Sequence, residues 1–233
     1  MDDLTKFIKD ELLSHGADLV GVGALSELPS SIRCGLPIGI SIAVKYPKEV
    51  ILGISSLPTK EYYDQYNRIN ERLDMLVTLG ADAIKSYGYK AVPQTLAYVE
   101  QFETDYATLL PHKTVATRAG LGWIGKSALL VTEAFGSMVR ISSILTDAPL
   151  DTAKPIDYSK CGDCRACTDA CPTGAISGKL WTVGISRDEF FNAATCRKTA
   201  RERAMKGFGI DITQCGKCIE ICPYTRQYLY KGK

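Results

Sequence analysis

The sequence predicts two modules, an α/β domain over residues 1–152 and a small cysteine-rich domain over residues 153–233. Three observations carry this division. Eight of the nine cysteines lie between Cys161 and Cys222, leaving only Cys34 upstream. Before Leu150, stretches with helical spacing of apolar residues alternate with short apolar runs, the pattern of mixed α/β structure. Between the modules, APLDTAKPIDY carries two prolines and reads as a linker. Charge divides in the same place. Residues 1–154 hold 15 basic and 18 acidic side chains, whereas residues 155–233 hold 13 basic and 8 acidic.

Taken in order, Leu4, Phe7, Ile8 and Leu12 give residues 3–14 one apolar face, with Gly16 just past the end. ADLVGVGAL is expected as a buried strand. Gly39–Tyr46 is expected as a second, stopped by Pro47. Residues 60–87 form the longest helical pattern, with Tyr62, Tyr66, Ile69, Leu73 and Leu76 on one face and Asp64, Arg68, Glu71 and Asp74 between them. Gly88 closes it, and YKAVP follows as a short strand. A polar connection, 100–114, leads to the glycine-rich turn GLGWIGK. Two more strands are expected at Ala128–Thr132 and Ser137–Leu145. Cys34, without a partner in this module, is expected as a small buried hydrophobe.

Composition excludes several classes. With 233 residues, 45% apolar and 23% charged, the chain has ordinary globular usage. No apolar run approaches the ~18–20 residues needed to cross a bilayer. The N-terminus is acidic where a signal peptide is basic. We therefore expect a cytoplasmic protein with no membrane partner. The net charge of +2 provides no global basic field for nucleic acid.

Cys161-x2-Cys164-x2-Cys167-x3-Cys171-Pro172 has the spacing of bacterial ferredoxins, in which three thiolates converge on one [4Fe–4S] cubane and the fourth serves a second. Cys215-x2-Cys218-x3-Cys222-Pro223 is the same run without its first cysteine, which Cys196 replaces from upstream. The expected ligand sets are Cys161, Cys164, Cys167 and Cys222 for one cluster, and Cys171, Cys196, Cys215 and Cys218 for the other. Structural zinc also uses Cys-x2-Cys pairs, but does not call for the third cysteine or the two Cys-Pro ends. A disulfide framework suits small secreted chains. Two oxidised clusters would bring the second module from +5 to about +1 by formal charge. The run Arg197, Lys198, Arg201, Arg203, Lys206 is either a solvated helix face or a docking face for an acidic donor protein or a nucleic-acid backbone.

Gly120-Leu121-Gly122-Trp123-Ile124-Gly125-Lys126-Ser127 formally fits both a phosphate-binding loop and a dinucleotide fingerprint. Both need a strand immediately upstream, which TVATRAG does not offer. What remains is a turn whose backbone can approach a bulky ligand closely, with outward N–H groups and Lys126 beside them.

TVATRAGLGWIGKSALLVTEAFGSMVRISSILTDAPL followed by CGDCRACTDACPTGAI resembles the epoxyqueuosine reductases, as do ADLVGVGAL and Tyr66-Asn67 on the long helix. The resemblance implies a cobalamin-dependent, double-[4Fe–4S] reductase of a tRNA modification. It also implies a nitroreductase-like cobalamin-binding α/β domain, akin to that of reductive dehalogenases, joined to a two-cluster ferredoxin-like domain. Cobalamin contacts are then expected at Tyr66, Lys113, Gly120, Gly122, Trp123, Gly125 and Lys126. The family's Asp-x-Ala-Pro-x-x-Glu-Arg segment carries a catalytic acid. Here the stretch runs from Thr104 to Lys113, with His112-Lys113 at the Glu-Arg positions and Asp105 or Tyr106 at the acid. Asp105, Tyr106 and His112 are the candidate proton donors.

Two functions follow. In the first, electrons from a ferredoxin or flavodoxin pass through the clusters to a corrinoid, which reduces a substrate. In the second, the chain is an electron-transfer protein that reduces a partner's corrinoid. The family continues into a C-terminal helical-repeat domain, and this chain stops at Lys233, so tRNA is not expected as a tight partner.

Overall fold

The computed structural model describes residues 3–99, 101–102 and 107–231. Helix α1 (Asp3–Ser14) leads into strand β1 (Leu19–Ala24), then β2 (Ile38–Lys45), α2 (Lys48–Gly53) and the long α3 (Lys60–Ser86). Next come β3 (Ala91–Pro93), β4 (Gln101–Phe102), β5 (Ala107–Thr108), α4 (His112–Arg118), β6 (Trp123–Ile124), β7 (Leu130–Val131) and β8 (Val139–Thr146). The cysteine-rich part holds α5 (Ala166–Asp169), α6 (Ala193–Phe208), α7 (Lys217–Glu220) and α8 (Pro223–Tyr230).

Two compact units emerge, and neither is contiguous in sequence. The first comprises residues 1–44, 69–122 and 140–156; the second comprises 45–68, 123–139 and 157–233. The expected division into 1–152 and 153–233 does not coincide with them. The reason lies in packing around the second cysteine run. A Cβ on Gly216 would stand 2.3 Å from Ile54 Cδ1, and one on Gly207 would stand 2.2 Å from Pro58 O. Lys217 Nζ donates to Ser55 O at 2.9 Å. Likewise Ser137 N donates to Thr225 Oγ1 at 3.1 Å. Residues 45–68 and 123–139 thus fold with the cysteines.

The first unit is built on a four-stranded sheet in the order β1-β2-β8-β3. β1 and β2 are antiparallel, with Leu19 opposite Ala43 and Ala24 opposite Ile38; β3 and β8 are antiparallel, with Ala91 opposite Thr146. β2 is buried almost throughout, as a central strand covered on both faces should be. Ile8 and Leu12 fix the buried face of α1. A Cβ on Gly80 of α3 would meet Ile144 Cδ1 and Leu12 Cδ2 at 2.7 and 3.1 Å, so α3 lies close against β8 and α1.

The second unit has little regular structure. Its core includes Ile124, Ala128, Trp181 and Phe190. The β6–β7 hairpin pairs Trp123 with Val131, and α6 is capped by Asn192 Oδ1 accepting from Thr195 N at 2.9 Å. The strand expected at Ala128–Thr132 is only two residues long, because Ala128 takes a left-handed turn (φ 59°). Among the described residues no helix is long and apolar enough to cross a membrane.

Candidate metal centres and cofactor site

None of the nine thiols is in a disulfide. The thiols of the second unit fall into two neighbourhoods. Burial pushes Cys167 up to about 11, and the thiolate charges of Cys161, Cys222 and Cys164 push the same way. Cys222, at the N-terminus of α8, is raised by burial against the opposing pull of the Thr225 and Tyr224 N–H groups. Cys196 rises to about 11 through burial and the charges of Cys215 and Cys171. Cys218 is raised well above the ordinary thiol value by burial, then by Cys215 and Cys196, with Cys167 and Cys171 adding to it. In Cys171 burial is outweighed by Thr173, Ala175 and Ile176, whose N–H groups favour the thiolate.

Thiols crowded in this way resist ionisation one by one. Metal binding reverses the sign, since a bound cation compensates the thiolates it gathers. Among the described residues no group of His, Cys, Asp and Glu is gathered to hold a single ion. A cubane is larger, with each thiolate on its own iron, and accommodates a wider set.

A cavity of about 400 Å³ opens in this unit, lined by Cys161, Cys164, Cys167, Cys218 and Cys222 together with Gly125 and Lys126. A Cβ on Gly125 would lie 3.6 Å from Cys161 Sγ and 2.8 Å from Val131 Cγ2. Lys126 is buried, and its ammonium donates to Cys164 O at 2.8 Å. Trp123 is fully buried, edge-on to Tyr224 at 4.9 Å between centroids. Its indole Nε1 has no hydrogen-bond partner.

These positions divide the glycine turn between the two units. The boundary between the units falls after Gly122. Gly120 and Gly122 belong to the first unit; Trp123, Gly125 and Lys126 belong with the cysteines. Lys126 does not stand beside outward N–H groups, because its ammonium is turned to the Cys164 carbonyl. Trp123 is a core anchor. The phosphate-loop reading also fails, since α4 rather than a strand precedes the turn.

In the first unit, α4 was not anticipated. Its C-terminal end lies against bare backbone of β1: a Cβ on Gly23 would stand 2.4 Å from Arg118 C, and one on Gly21 would stand 2.6 Å from Ala119 O. The Gly-x-Gly spacing in LVGVGA places both bare positions on one strand face. Gly120 follows α4 with φ 69°. Lys113 and Tyr66 are partly buried, Lys113 in the first unit and Tyr66 in the second. Asp105 and Tyr106 lie outside the described residues.

His112 opens α4, and its Nδ1 is hydrogen-bonded to Ser143 Oγ at 2.8 Å. Arg140 Nε donates to Asn70 Oδ1 at 3.0 Å. Burial, with the Arg140 charge as a second cause, lowers His112 to about 4. The imidazole is therefore neutral at pH 7. At that pH the ring offers one donor and one acceptor nitrogen, without a charge. The reading of Cys34 also changes: it is exposed, at φ 54°, with Sγ 3.5 Å from Tyr98 OH.

The His112 shift has a measurable consequence. As pH falls, the unfolded chain takes up this proton first, near the usual 6.5, while the folded chain resists until about 4. The group's contribution is whole above pH ~6.5 and declines by about 3 kcal/mol as pH falls to about 4. Urea unfolding at several pH values should show this loss in the wild type and its absence in His112→Gln. Parallel curves for the two proteins would contradict it.

Residues 160–225 match a protein-family profile described as a 4Fe-4S double cluster binding domain. The chain is 28% identical over 206 residues to an epoxyqueuosine reductase of Lactococcus garvieae, a match covering 80% of this chain and 51% of that protein. The chain thus spans about half the length of that curated relative. Among solved structures, a catabolic reductive dehalogenase in complex with 3-bromo-4-hydroxybenzoic acid superposes with a TM-score of 0.76 at 20% identity, over 99% of this chain and 34% of that one. An epoxyqueuosine reductase with a modified tRNA-Tyr stem loop superposes with a TM-score of 0.63 at 22% identity, over 98% and 68%. The fold is thus that of these proteins, and the resemblance to epoxyqueuosine reductases read from the sequence holds.

Proposed function

We propose that this chain is an iron–sulfur reductase that passes electrons through two [4Fe–4S] clusters to a bound cobalamin, in the manner of an epoxyqueuosine reductase. The observation that carries the reading is the pair of thiol neighbourhoods. Cys161, Cys164, Cys167 and Cys222 hold one cluster, and Cys171, Cys196, Cys215 and Cys218 hold the other. The mutual thiolate fields support these sets, as does the double-cluster profile match. The donor set suits iron, since eight thiolates fill two cubanes with nothing left over.

Cobalamin, when bound, supplies the reducing centre. The fold shared with a reductive dehalogenase and an epoxyqueuosine reductase supports this cofactor. The chain's residues then bind, orient and exclude water. Gly120, Gly122 and Lys113, on α4 and the turn after it, are the contacts we assign in the first unit, with Tyr66 a further one. Asp105 or Tyr106 delivers the proton, and neutral His112, held by Ser143, orients the substrate or cofactor by hydrogen bonding. The electron donor is a small acidic redox protein of the ferredoxin or flavodoxin kind, acting in the cytoplasm. Of the basic run on α6, Lys198 and Lys206 are exposed, while Arg201 pairs with Asp211 and Arg203 donates to Ser56 O.

Titration of cobalamin into anaerobically reconstituted protein, followed by absorbance, tests the reading. Saturable binding at about one per chain is expected, and Gly122→Trp should abolish it while iron is retained, because Gly122 is outside the cysteine unit. No binding by the wild type would favour the electron-transfer reading instead.

A further inference from the structure

We propose that Lys126 is the buried counter-charge of the cluster held by Cys161, Cys164, Cys167 and Cys222, and that it raises that cluster's reduction potential. The inference rests on the two-cluster reading and goes beyond it.

Three observations point to Lys126. Its side chain lines the cavity those four cysteines share. The residue is 6% exposed. Among the described residues its ammonium has no carboxylate within ion-pair distance, and it donates to the Cys164 carbonyl at 2.8 Å. A buried ammonium left with a single carbonyl is costly, and proteins keep one only where an anion compensates it. Four thiolates around a [4Fe–4S] core sum to a dianion in the oxidised state. Held by the four cysteines that line the same cavity as Lys126, that anion would supply the missing charge.

The redox consequence follows from charge alone. One electron from a one-electron donor takes the cluster and its ligands from 2− to 3−, with no bond made or broken. A fixed cation nearby favours the more negative state, and burial leaves it largely unscreened by salt. Lys160, which also lines this cavity, makes the contrast. It is paired with Glu133 at 2.6 Å, and both side chains are exposed. An exposed, neutralised pair of this kind contributes little.

Redox titration of the reconstituted protein, with both clusters followed by electron paramagnetic resonance, tests the proposal. Lys126→Gln keeps a donor for the Cys164 carbonyl but removes the charge. It should shift the reduction equilibrium of one cluster at least tenfold toward the oxidised form, 59 mV for a one-electron couple. The second cluster should stay unmoved. Lys126→Arg, which keeps the charge, should restore most of the shift, and Lys160→Met should move neither cluster. Unchanged potentials in Lys126→Gln would overturn the proposal. So would loss of that cluster alone, with iron halved, which would make Lys126 a brace for the Cys164 loop. A wild type that takes up no iron would instead overturn the cluster reading itself.

Discussion

Cys196→Ala should hold about four irons per chain in place of about eight, because only one of two cubanes keeps its full set of thiolates. Cys196 stands in the first turn of α6, whose start is fixed by the Asn192 cap. Its thiol feels the charges of Cys215 and Cys171, so its removal strikes the cluster we assign to those residues and Cys218. The ligands we propose for the other cluster come from the Cys161–Cys167 run and from Cys222 at the start of α8. That site should keep its iron and its spectrum. Iron analysis with electron paramagnetic resonance of the reduced protein distinguishes the cases. Cys34→Ala, at an exposed thiol in the first unit, should change neither reading.

Gly23→Val should disrupt the first unit while sparing the iron sites. The new Cβ would stand 2.4 Å from Arg118 C and 2.5 Å from Ala119 N. Both are backbone atoms at the end of α4 and cannot rotate away. Overpacking ordinarily costs about 1–3 kcal/mol, and more where backbone must move, so a loss beyond about 3 kcal/mol is expected. Displacing α4 also displaces His112 from Ser143 and the Gly120–Gly122 turn from its place. Cobalamin binding should therefore fall at least tenfold with iron content unchanged. Unfolding curves and the cobalamin titration together check this, and retained affinity would show that α4 does not shape the cofactor site.

The parts of the fold legible in the sequence were those with strong local periodicity. The long α3 and the buried β2 follow from apolar spacing alone, and their ends agree with Gly88 and Pro47 nearby. Helix α4 was hidden because HKTVATR mixes polar with β-branched residues and shows no apolar stripe. The discontinuous units were illegible for another reason. The contacts that draw 45–68 to the cysteine runs pass through Gly207, Gly216 and a Lys217–carbonyl bond, and bare backbone carries no periodic signal. At the candidate site, cysteine spacing set the proposed ligand sets, because cubane ligation constrains neighbours along the chain. The glycine turn was less legible, since Gly-x-Gly-x-x-Gly-Lys describes permissive backbone without saying where it faces. Only the structure turns Lys126 toward Cys164. His112 was readable as a candidate, but its neutrality depends on burial and on Arg140, a partner 28 residues downstream in sequence.

The central claim is that eight thiolates hold two [4Fe–4S] clusters, and metal analysis of the anaerobically reconstituted wild-type chain tests it most directly. The account predicts about eight irons and eight acid-labile sulfides per chain, with two spectroscopically distinct clusters on reduction. Zinc bound in preference to iron, or four irons in a single cluster, would contradict it.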